Sequence, residues 1–250
     1  MHPHSIALQK VEKKERQRSN WLMTHERRAI AWLCPRLPSW LTSNMLTGIG
    51  VLGSMIISFA MIFGRSERLW LIAGIFGLAV NWFGDSLDGR LAYFRKRPRK
   101  WFGFALDVMM DWASLCLVTA GLALYLPQLK FIPIVFMATY GARMLIAVLS
   151  YKITGEYRID SGKAGPTEVR LLLATALLLE IFLPGTLLGL SVCATPALAI
   201  VDVFEFRKLL KLAEARDHIE RQNDFEQRQN HCRQNYSKFF EFRFIRKERR

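Results

Sequence analysis

Four aspartates in two short segments are the residues of this chain best suited to chemistry. Asp85 and Asp88 lie in NWFGDSLDGR, and Asp107 and Asp111 lie in GFALDVMMD. Spacings of three and four residues place each pair on one face of a helix. Hard divalent cations prefer carboxylate oxygens, and two such ions can stabilise the attacking and leaving oxygens of a phosphoryl transfer. The pattern therefore predicts a divalent metal site for phosphoryl transfer.

Apolar surroundings make these aspartates costly unless positive charge compensates them. An aspartate at the centre of a bilayer costs about 2.5–3.5 kcal/mol, so four would cost roughly 10 kcal/mol before repulsion. The apolar stretches offer only Arg90 and Arg143 nearby, which favours bound cations. Helix caps or salt bridges near the interface are the alternative, but they do not explain two acidic pairs at similar depth on neighbouring helices.

Apolar and charged residues are segregated along the chain. Hydrophobic residues make up 51% of it, yet it carries 35 Lys+Arg against 21 Asp+Glu. A helix needs about 20 apolar residues to cross a bilayer, and Trp40 to Gly64 carry no charge. We expect an all-α polytopic membrane protein with about six spans, at 43–63, 69–94, 101–126, 129–151, 167–183 and 186–206.

Two features of the chain between and before the spans shape this topology. Pro184-Gly185 predicts a tight turn between the last two spans, with one long broken helix as the alternative. The first twenty residues lack the apolar segment of a signal peptide, so we expect the first span to act as the targeting signal.

Basic residues predict the orientation. Residues 95–100 read RKRPRK, with five positive charges in six positions, two spans after the basic amino terminus. The positive-inside rule therefore predicts cytoplasmic termini and a site facing the cytoplasm. We expect a multi-pass protein of a bacterial inner membrane. The four cysteines have no metal-binding spacing and the histidines lie outside the spans, so neither a zinc site nor a disulfide framework is predicted.

The aspartates belong to a longer pattern, DxxDGxxA at 85–92 followed by GxxxDxxxD at 103–111. This pattern resembles the signature of the CDP-alcohol phosphatidyltransferase family. Residues 38–47, with Asn44 and Thr47, are similar to the family's segment leading into its first span. The resemblance covers about 20–205 and implies an N-terminal amphipathic interfacial helix. The expected divisions are 1–37 with that helix, 38–206 as a six-helix catalytic domain, and 207–250 as a basic tail.

The resemblance implies a reaction in which an acceptor hydroxyl attacks a CDP-linked donor, usually CDP-diacylglycerol, and CMP leaves. By analogy Asp85 and Asp107 bridge two Mg²⁺ (or Mn²⁺) ions, Asp88 holds one, and Asp111 touches the other and acts as general base. A homodimer among membrane lipids is implied as well. The acceptor alcohol is not predicted.

Gly89 and Gly103 belong to the same pattern. Without a Cβ they allow cytidine or diphosphate to approach the helix backbone. Close packing between helices is the alternative explanation for both glycines.

One position departs from the family pattern, because Tyr93 follows the motif alanine where the family has arginine. Arg90, Arg95 or Arg97 can supply the missing charge, and Tyr93 can stack on a base. A catalytically impaired member of the family is the alternative.

The acceptor side offers fewer candidates. Arg143 is an intramembrane charge and therefore a functional candidate. Glu168 and Arg170 open the fifth span in GPTEVR, a segment similar to one in some family members, so both are candidates for the acceptor pocket. Proline, threonine and glutamate are also ordinary residues at a helix start. Lys163 is a candidate for binding an anionic acceptor.

The basic tail, 207–250, has two parts of different character. The tail begins with helical periodicity, and its aromatic and basic end, 239–247, suits anionic lipid headgroups; a solvated tail is the alternative. Nucleic acid is not an expected partner of a membrane-fixed chain.

Two rival functions remain as alternatives. A magnesium-dependent prenyltransferase would use Asn81-x-x-x-Asp85, but in that class of enzyme the two acidic motifs lie in well-separated halves of the chain. A channel would need a polar path across the whole bilayer, whereas these acids cluster near one face of it.

Overall fold

The computed structural model describes residues 21–154 and 166–248, with side chains described over 24–154 and 166–222. Lys163 lies outside the described residues, and so do the side chains of 239–247. Over the described ranges the chain is helical, without strands. The α-helices are α1 (Trp21–Leu33), α2 (Ser43–Gly64), α3 (Leu71–Phe94), α4 (Lys100–Tyr125), α5 (Phe131–Thr154), α6 (Pro166–Phe182) and α7 (Thr186–Glu248), with short 3₁₀ helices at Cys34–Arg36 and Arg68–Trp70.

Each apolar stretch predicted to span the membrane forms a helix, so the all-α polytopic fold is confirmed. Among the described residues, five helices are long and apolar enough to cross a bilayer. These are Ser43–Gly64, Arg68–Phe94, Lys100–Tyr125, Phe131–Thr154 and Thr186–Gln222. The remaining predicted span, 167–183, corresponds to α6, which has 17 residues. Its length of about 25 Å is at the short end of the transmembrane range. A count of six spans therefore stays a prediction.

Glycines allow α2 and α3 to pack with their backbones in contact. A Cβ on Gly84 would lie 2.7 Å from Gly50 Cα, and one on Gly53 would lie 2.7 Å from Asn81 Cα. Both distances are far below normal contact, so only glycine fits at these positions. Small residues at such a crossing are typical of helix packing in membranes. This contact fixes α3, and hence Asp85, against α2.

Helix α1 and the 3₁₀ helix that follows it pack on the same end of α2 and α3 that carries the motif aspartates. Ile30 and Cys34 are buried against α2 and α3, where Leu87 and Leu91 are also buried. Burial raises the pKa of the Cys34 thiol, although Arg90 and Arg95 oppose the effect. The thiol therefore stays protonated and serves as a core residue.

Arg95 ties the end of α3 to the segment before α2. Its guanidinium donates to the carbonyl of Pro38 at 2.8 Å and also to the carbonyl of Leu41. Because these carbonyls occupy its donors, Arg95 is the least available of the three arginines proposed to replace the motif arginine at position 93.

The opposite end of the helices is organised by one buried acid, Glu180 of α6. It is 3% exposed and accepts hydrogen bonds from the Tyr125 hydroxyl at 3.0 Å and from the backbone N–H groups of Gly185 at 3.0 Å and Leu187 at 2.7 Å. Gly185 has a positive φ of 98°, which favours glycine. The predicted turn at Pro184-Gly185 is therefore present, with Glu180 capping the start of α7.

The helices divide into two compact units, which are described separately. The first contains residues 21–141 and 166–198 of the described chain, including all four motif aspartates. In the second, Arg143 of α5 pairs with Asp202 of α7 at 3.0 Å, and Arg216 donates to the carbonyls of Lys152 and Ile153 at the end of α5. The helix predicted for the first part of the tail is present, and α7 continues to Glu248.

Replacing Glu180 by alanine should lower the free energy of unfolding by about 2–3 kcal/mol, because one buried and two partly buried donors would lose a charged acceptor. Thermal or denaturant unfolding in detergent measures the loss. Glu220→Ala, which removes an exposed carboxylate paired with Arg216, is the matched control and should change stability by less than about 0.5 kcal/mol. Equal losses for the two variants would contradict the capping role.

Candidate active site

Three of the four motif aspartates meet in one cluster. One carboxylate oxygen each from Asp85, Asp107 and Asp111 lies within 4.8 Å of the others, and the three residues are partly buried. Asp85 comes from α3, whereas Asp107 and Asp111 come from α4. The spacing of four residues in α4 puts its two carboxylates on one face, as the sequence predicts.

The helices that carry the cluster are not in close contact with each other. Both α3 and α4 pack against α2, whereas the backbones of α3 and α4 hardly approach one another. The predicted convergence of carboxylates from these neighbouring helices therefore occurs, for three of the four aspartates, across a gap rather than at a direct contact between α3 and α4. The acidic side chains face a gap between them, with α2 as its floor.

A small pocket, with room for about one water molecule or ion, opens at this gap. Its lining consists of residues from α2, α3 and α4: Thr47, Gly50, Val51, Asn81, Asp85, Asp107, Met110, Asp111 and Ser114. Polar and acidic groups dominate this lining, so the pocket suits a charged, hydrated group.

Arg170 of α6 reaches into the acidic cluster. Its Nη2 binds Asp85 Oδ2, and its Nε donates to Asn81 Oδ1 at 2.8 Å. The Asn81 amide nitrogen in turn donates at 3.0 Å to both the Gly50 carbonyl and the Ser54 hydroxyl. Asn81 thus links α2, α3 and α6 beside Asp85.

Asp88 lies outside the three-carboxylate cluster. The Thr47 hydroxyl is 2.7 Å from Asp88 Oδ2, and the Gly89 backbone N–H binds Oδ1. The Ser43 hydroxyl also donates to the Asp88 carbonyl at 2.8 Å. Contacts from α2 therefore fix this turn of α3, and Asp88 can contribute to a metal site only through lone pairs that these donors leave open.

The chemistry of the cluster fits a hard divalent cation. Asp107 and Asp111 line the pocket, and within the described residues neither accepts a hydrogen bond nor forms an ion pair. Asp85 keeps the oxygen that Arg170 does not contact. Carboxylate oxygens in this number are the ligands that magnesium and manganese prefer.

The other predicted site residues lie in different surroundings. Asn44 accepts a hydrogen bond from Arg99 at 2.5 Å, at the starts of α2 and α4. Arg90 and Tyr93 are exposed on α3. Arg143 lies in the second unit, paired with Asp202.

Gly89 and Gly103 differ from the packing glycines. A Cβ at either position would meet no atom within 4 Å among the described residues. Helix packing, the alternative explanation for these two glycines, therefore does not account for them in the part of the chain that the structure describes.

Residues 40–202 match the sequence profile of the family described as CDP-alcohol phosphatidyltransferase. The chain belongs to the CDP-alcohol phosphatidyltransferase family. Its class is therefore that of transferases acting on CDP-alcohols, which generally depend on divalent metal. A comparison with curated proteins gives no match.

Two contacts of the site were not predicted from the sequence: the hydrogen bond between Arg170 and Asn81, and the ion pair between Arg170 and Asp85. Asn81 lies one helical turn before Asp85, a spacing that puts both side chains on one face, and this signal points to a shared site. The pairing of Arg170 with Asp85 has no local signal, because 85 residues separate them.

The two kinds of glycine should respond differently to alanine. Gly84→Ala should lower the free energy of unfolding by about 1–3 kcal/mol, because its Cβ forces α2 and α3 apart. Gly89→Ala should leave stability unchanged or raise it by up to about 1 kcal/mol, since alanine is the better helix former and meets open space. Unfolding in detergent measures both variants, and a destabilised Gly89→Ala would contradict the open environment of that position.

Proposed function

We propose that the chain transfers a phosphatidyl group, or another substituted phosphoryl group, from a CDP-linked donor to an alcohol acceptor, with release of CMP. CDP-diacylglycerol is the proposed donor. The observation that carries the proposal is the convergence of Asp85, Asp107 and Asp111 within 4.8 Å in a chain of this family. The family match favours this reaction over the prenyltransferase alternative.

Two divalent ions, Mg²⁺ or Mn²⁺, are the proposed cofactors. The four aspartates carry four negative charges when ionised, and Arg170 offsets one of them. One dication would leave the site negative, so a second is needed before an anionic diphosphate can approach a positive site. Asp85 and Asp107 would hold both ions, with Asp88 on one and Asp111 on the other. Bound there, the ions would polarise the phosphoryl oxygens and stabilise the leaving group.

Asp111 is the proposed general base. It takes the proton from the acceptor hydroxyl, whose oxygen forms a bond to the phosphorus that carries the lipid group. The bond between that phosphorus and the CMP oxygen breaks, and CMP leaves with the electron pair. Support comes from the position of Asp111 in the pocket lining and from its lack of any hydrogen-bond partner among the described residues.

The donor is proposed to lie along the open faces of Gly89 and Gly103. Open space at both glycines supports close approach of the cytidine or diphosphate to the helix backbone. Asn44, Thr47, Arg90 and Tyr93 are proposed to contact the donor, whereas Arg143 and Arg170 are proposed for the acceptor.

The proposed setting is a homodimer with cytoplasmic termini and a site facing the cytoplasm. In this setting residues 1–37 form the interfacial segment, 38–206 the catalytic domain and 207–250 a basic tail. The exposed basic residues Lys96, Arg97 and Lys100 beside the site end of α3 and α4 support this orientation.

Release of CMP tests the reaction. Purified protein is incubated with CDP-diacylglycerol, Mg²⁺ or Mn²⁺, and a panel of alcohols that includes glycerol phosphate, inositol phosphate and serine. We expect CMP release that requires both metal and one acceptor, that is lost in Asp85→Asn and that is kept in Asp217→Asn, which changes an exposed aspartate of the tail. No CMP with any acceptor, under conditions in which an active family member releases it, would refute the enzyme assignment.

Asp111→Asn should reduce turnover by at least about 100-fold, because an amide cannot take the acceptor's proton. Binding of the donor should remain within a few-fold of the wild-type value, since Asp85 and Asp107 still hold the metal. Single-turnover CMP release and equilibrium binding of a CDP-linked lipid separate the two effects. A loss of binding equal to the loss of turnover would instead assign Asp111 to metal binding alone.

Arg90→Gln should weaken donor binding about tenfold, because one charge-assisted hydrogen bond to phosphate would be lost. Arg90 is the arginine nearest Tyr93 on α3, and Arg95 is held by the 37–41 carbonyls. Tyr93→Arg in the Arg90→Gln background should restore binding by supplying the family's arginine. The double variant is informative whatever the acceptor, since affinity for CDP alone can be measured; failure to restore binding would show that position 93 does not serve the donor here.

A further inference from the structure

Among the described residues, Arg170 is the basic residue that directly contacts a carboxylate of the acidic cluster. Its Nη2 binds Asp85 Oδ2, while its Nε is held by Asn81 Oδ1 at 2.8 Å. The guanidinium thus has one charged partner and one neutral partner. Its side chain is 17% exposed and that of Asp85 is 24% exposed, so the pair lies at the edge of the pocket.

We propose that Arg170 is an exchangeable counter-ion of Asp85, which competes with a divalent cation for that carboxylate and thereby sets the metal affinity of the site. The inference rests on the proposed function in one respect, since it places the cation on the acidic cluster. It assigns to Arg170 an effect that opposes metal binding, whereas the aspartates of the cluster favour metal binding.

Asn81 is what makes exchange feasible. Its amide nitrogen is held by the Gly50 carbonyl and the Ser54 hydroxyl, both at 3.0 Å. Its oxygen therefore stays fixed as an acceptor for Arg170 Nε. When Asp85 turns to a cation, the guanidinium keeps this neutral contact and still has other N–H groups free for a new partner. It does not become a buried charge without a hydrogen bond.

Electrostatics decides the sign of the effect on metal binding. A cation bound to Asp85 would face the guanidinium across a single carboxylate, in partly buried surroundings where charges interact more strongly than in water. Repulsion between a dication and a guanidinium at such short range adds to the cost of breaking the charge-assisted bond that Arg170 gives to Asp85, so both effects oppose metal binding. Removing the positive charge should therefore strengthen metal binding while weakening the metal-free protein.

Manganese titration tests the inference. Free Mn²⁺ is measured by electron paramagnetic resonance on the full chain in detergent, for wild type, Arg170→Lys and Arg170→Gln. Thermal unfolding in excess chelator is measured on the same samples. Arg170→Gln should bind Mn²⁺ about tenfold more tightly than wild type and unfold at a lower temperature in chelator. Arg170→Lys keeps the positive charge but loses the planar guanidinium with its paired N–H donors. It should fall between wild type and Arg170→Gln in both measurements.

Controls and opposite outcomes make the test decisive. Arg216→Gln removes an arginine that pairs with Glu220 outside the cluster and should bind Mn²⁺ as wild type does. Unchanged or weaker Mn²⁺ binding by Arg170→Gln would overturn the inference and leave Arg170 as a structural tie. Should Arg170→Gln fail to fold, the order of wild type and Arg170→Lys decides the question.

Failure of this inference and failure of the proposed reaction give different results. Metal affinity and unfolding do not depend on turnover. Tighter Mn²⁺ binding by Arg170→Gln in a protein that releases no CMP would support the counter-ion and refute the reaction. CMP release together with weaker Mn²⁺ binding by Arg170→Gln would support the reaction and overturn the counter-ion role of Arg170.

Discussion

Backbone contact between α2 and α3 is the constraint on which the site depends. Gly50, Gly53 and Gly84 let the two helices meet without intervening side chains, and this places the Asn81 turn against the α2 carbonyls. Asp85 follows one turn later on the same helix. Since α4 packs on α2 as well, α2 serves as the common reference for both acidic helices, and their carboxylates meet above it.

The acids at the two ends of the first unit differ in their hydrogen bonds. Glu180 has three donors directed at it and serves as a cap. Asp107 and Asp111 have no donor among the described residues, although a low-dielectric setting makes an uncompensated carboxylate expensive. An acid whose hydrogen-bonding capacity is filled stabilises the fold, whereas an acid left open at a pocket is available for a ligand. Among the described residues, the end with open acids is therefore the end that carries the candidate chemistry.

The sequence predicted those features that depend on local pattern. Apolar runs located the helices within a few residues, apart from the end of α7, which continues to Glu248, because length and apolarity determine whether a segment suits a bilayer. The turn at Pro184-Gly185 and the pairing of Asp107 with Asp111 on one face also follow from near neighbours. The arrangement of α3 and α4 around α2 could not be predicted in this way, since it depends on glycine contacts between different helices. The same holds for Arg170, whose partner is remote in sequence.

The partial burial of the Arg170–Asp85 pair has a consequence for experiments at different ionic strengths. Mobile ions screen charges that water surrounds, over about 8–10 Å at ordinary salt concentrations, and they screen partly buried pairs much less. Lys96, Arg97 and Lys100 are exposed, so their attraction for anionic groups should fade as salt is added. The pair of Arg170 and Asp85 should persist. Ionic strength therefore distinguishes the positive charge that draws anions to the surface from the positive charge that balances the acidic cluster inside.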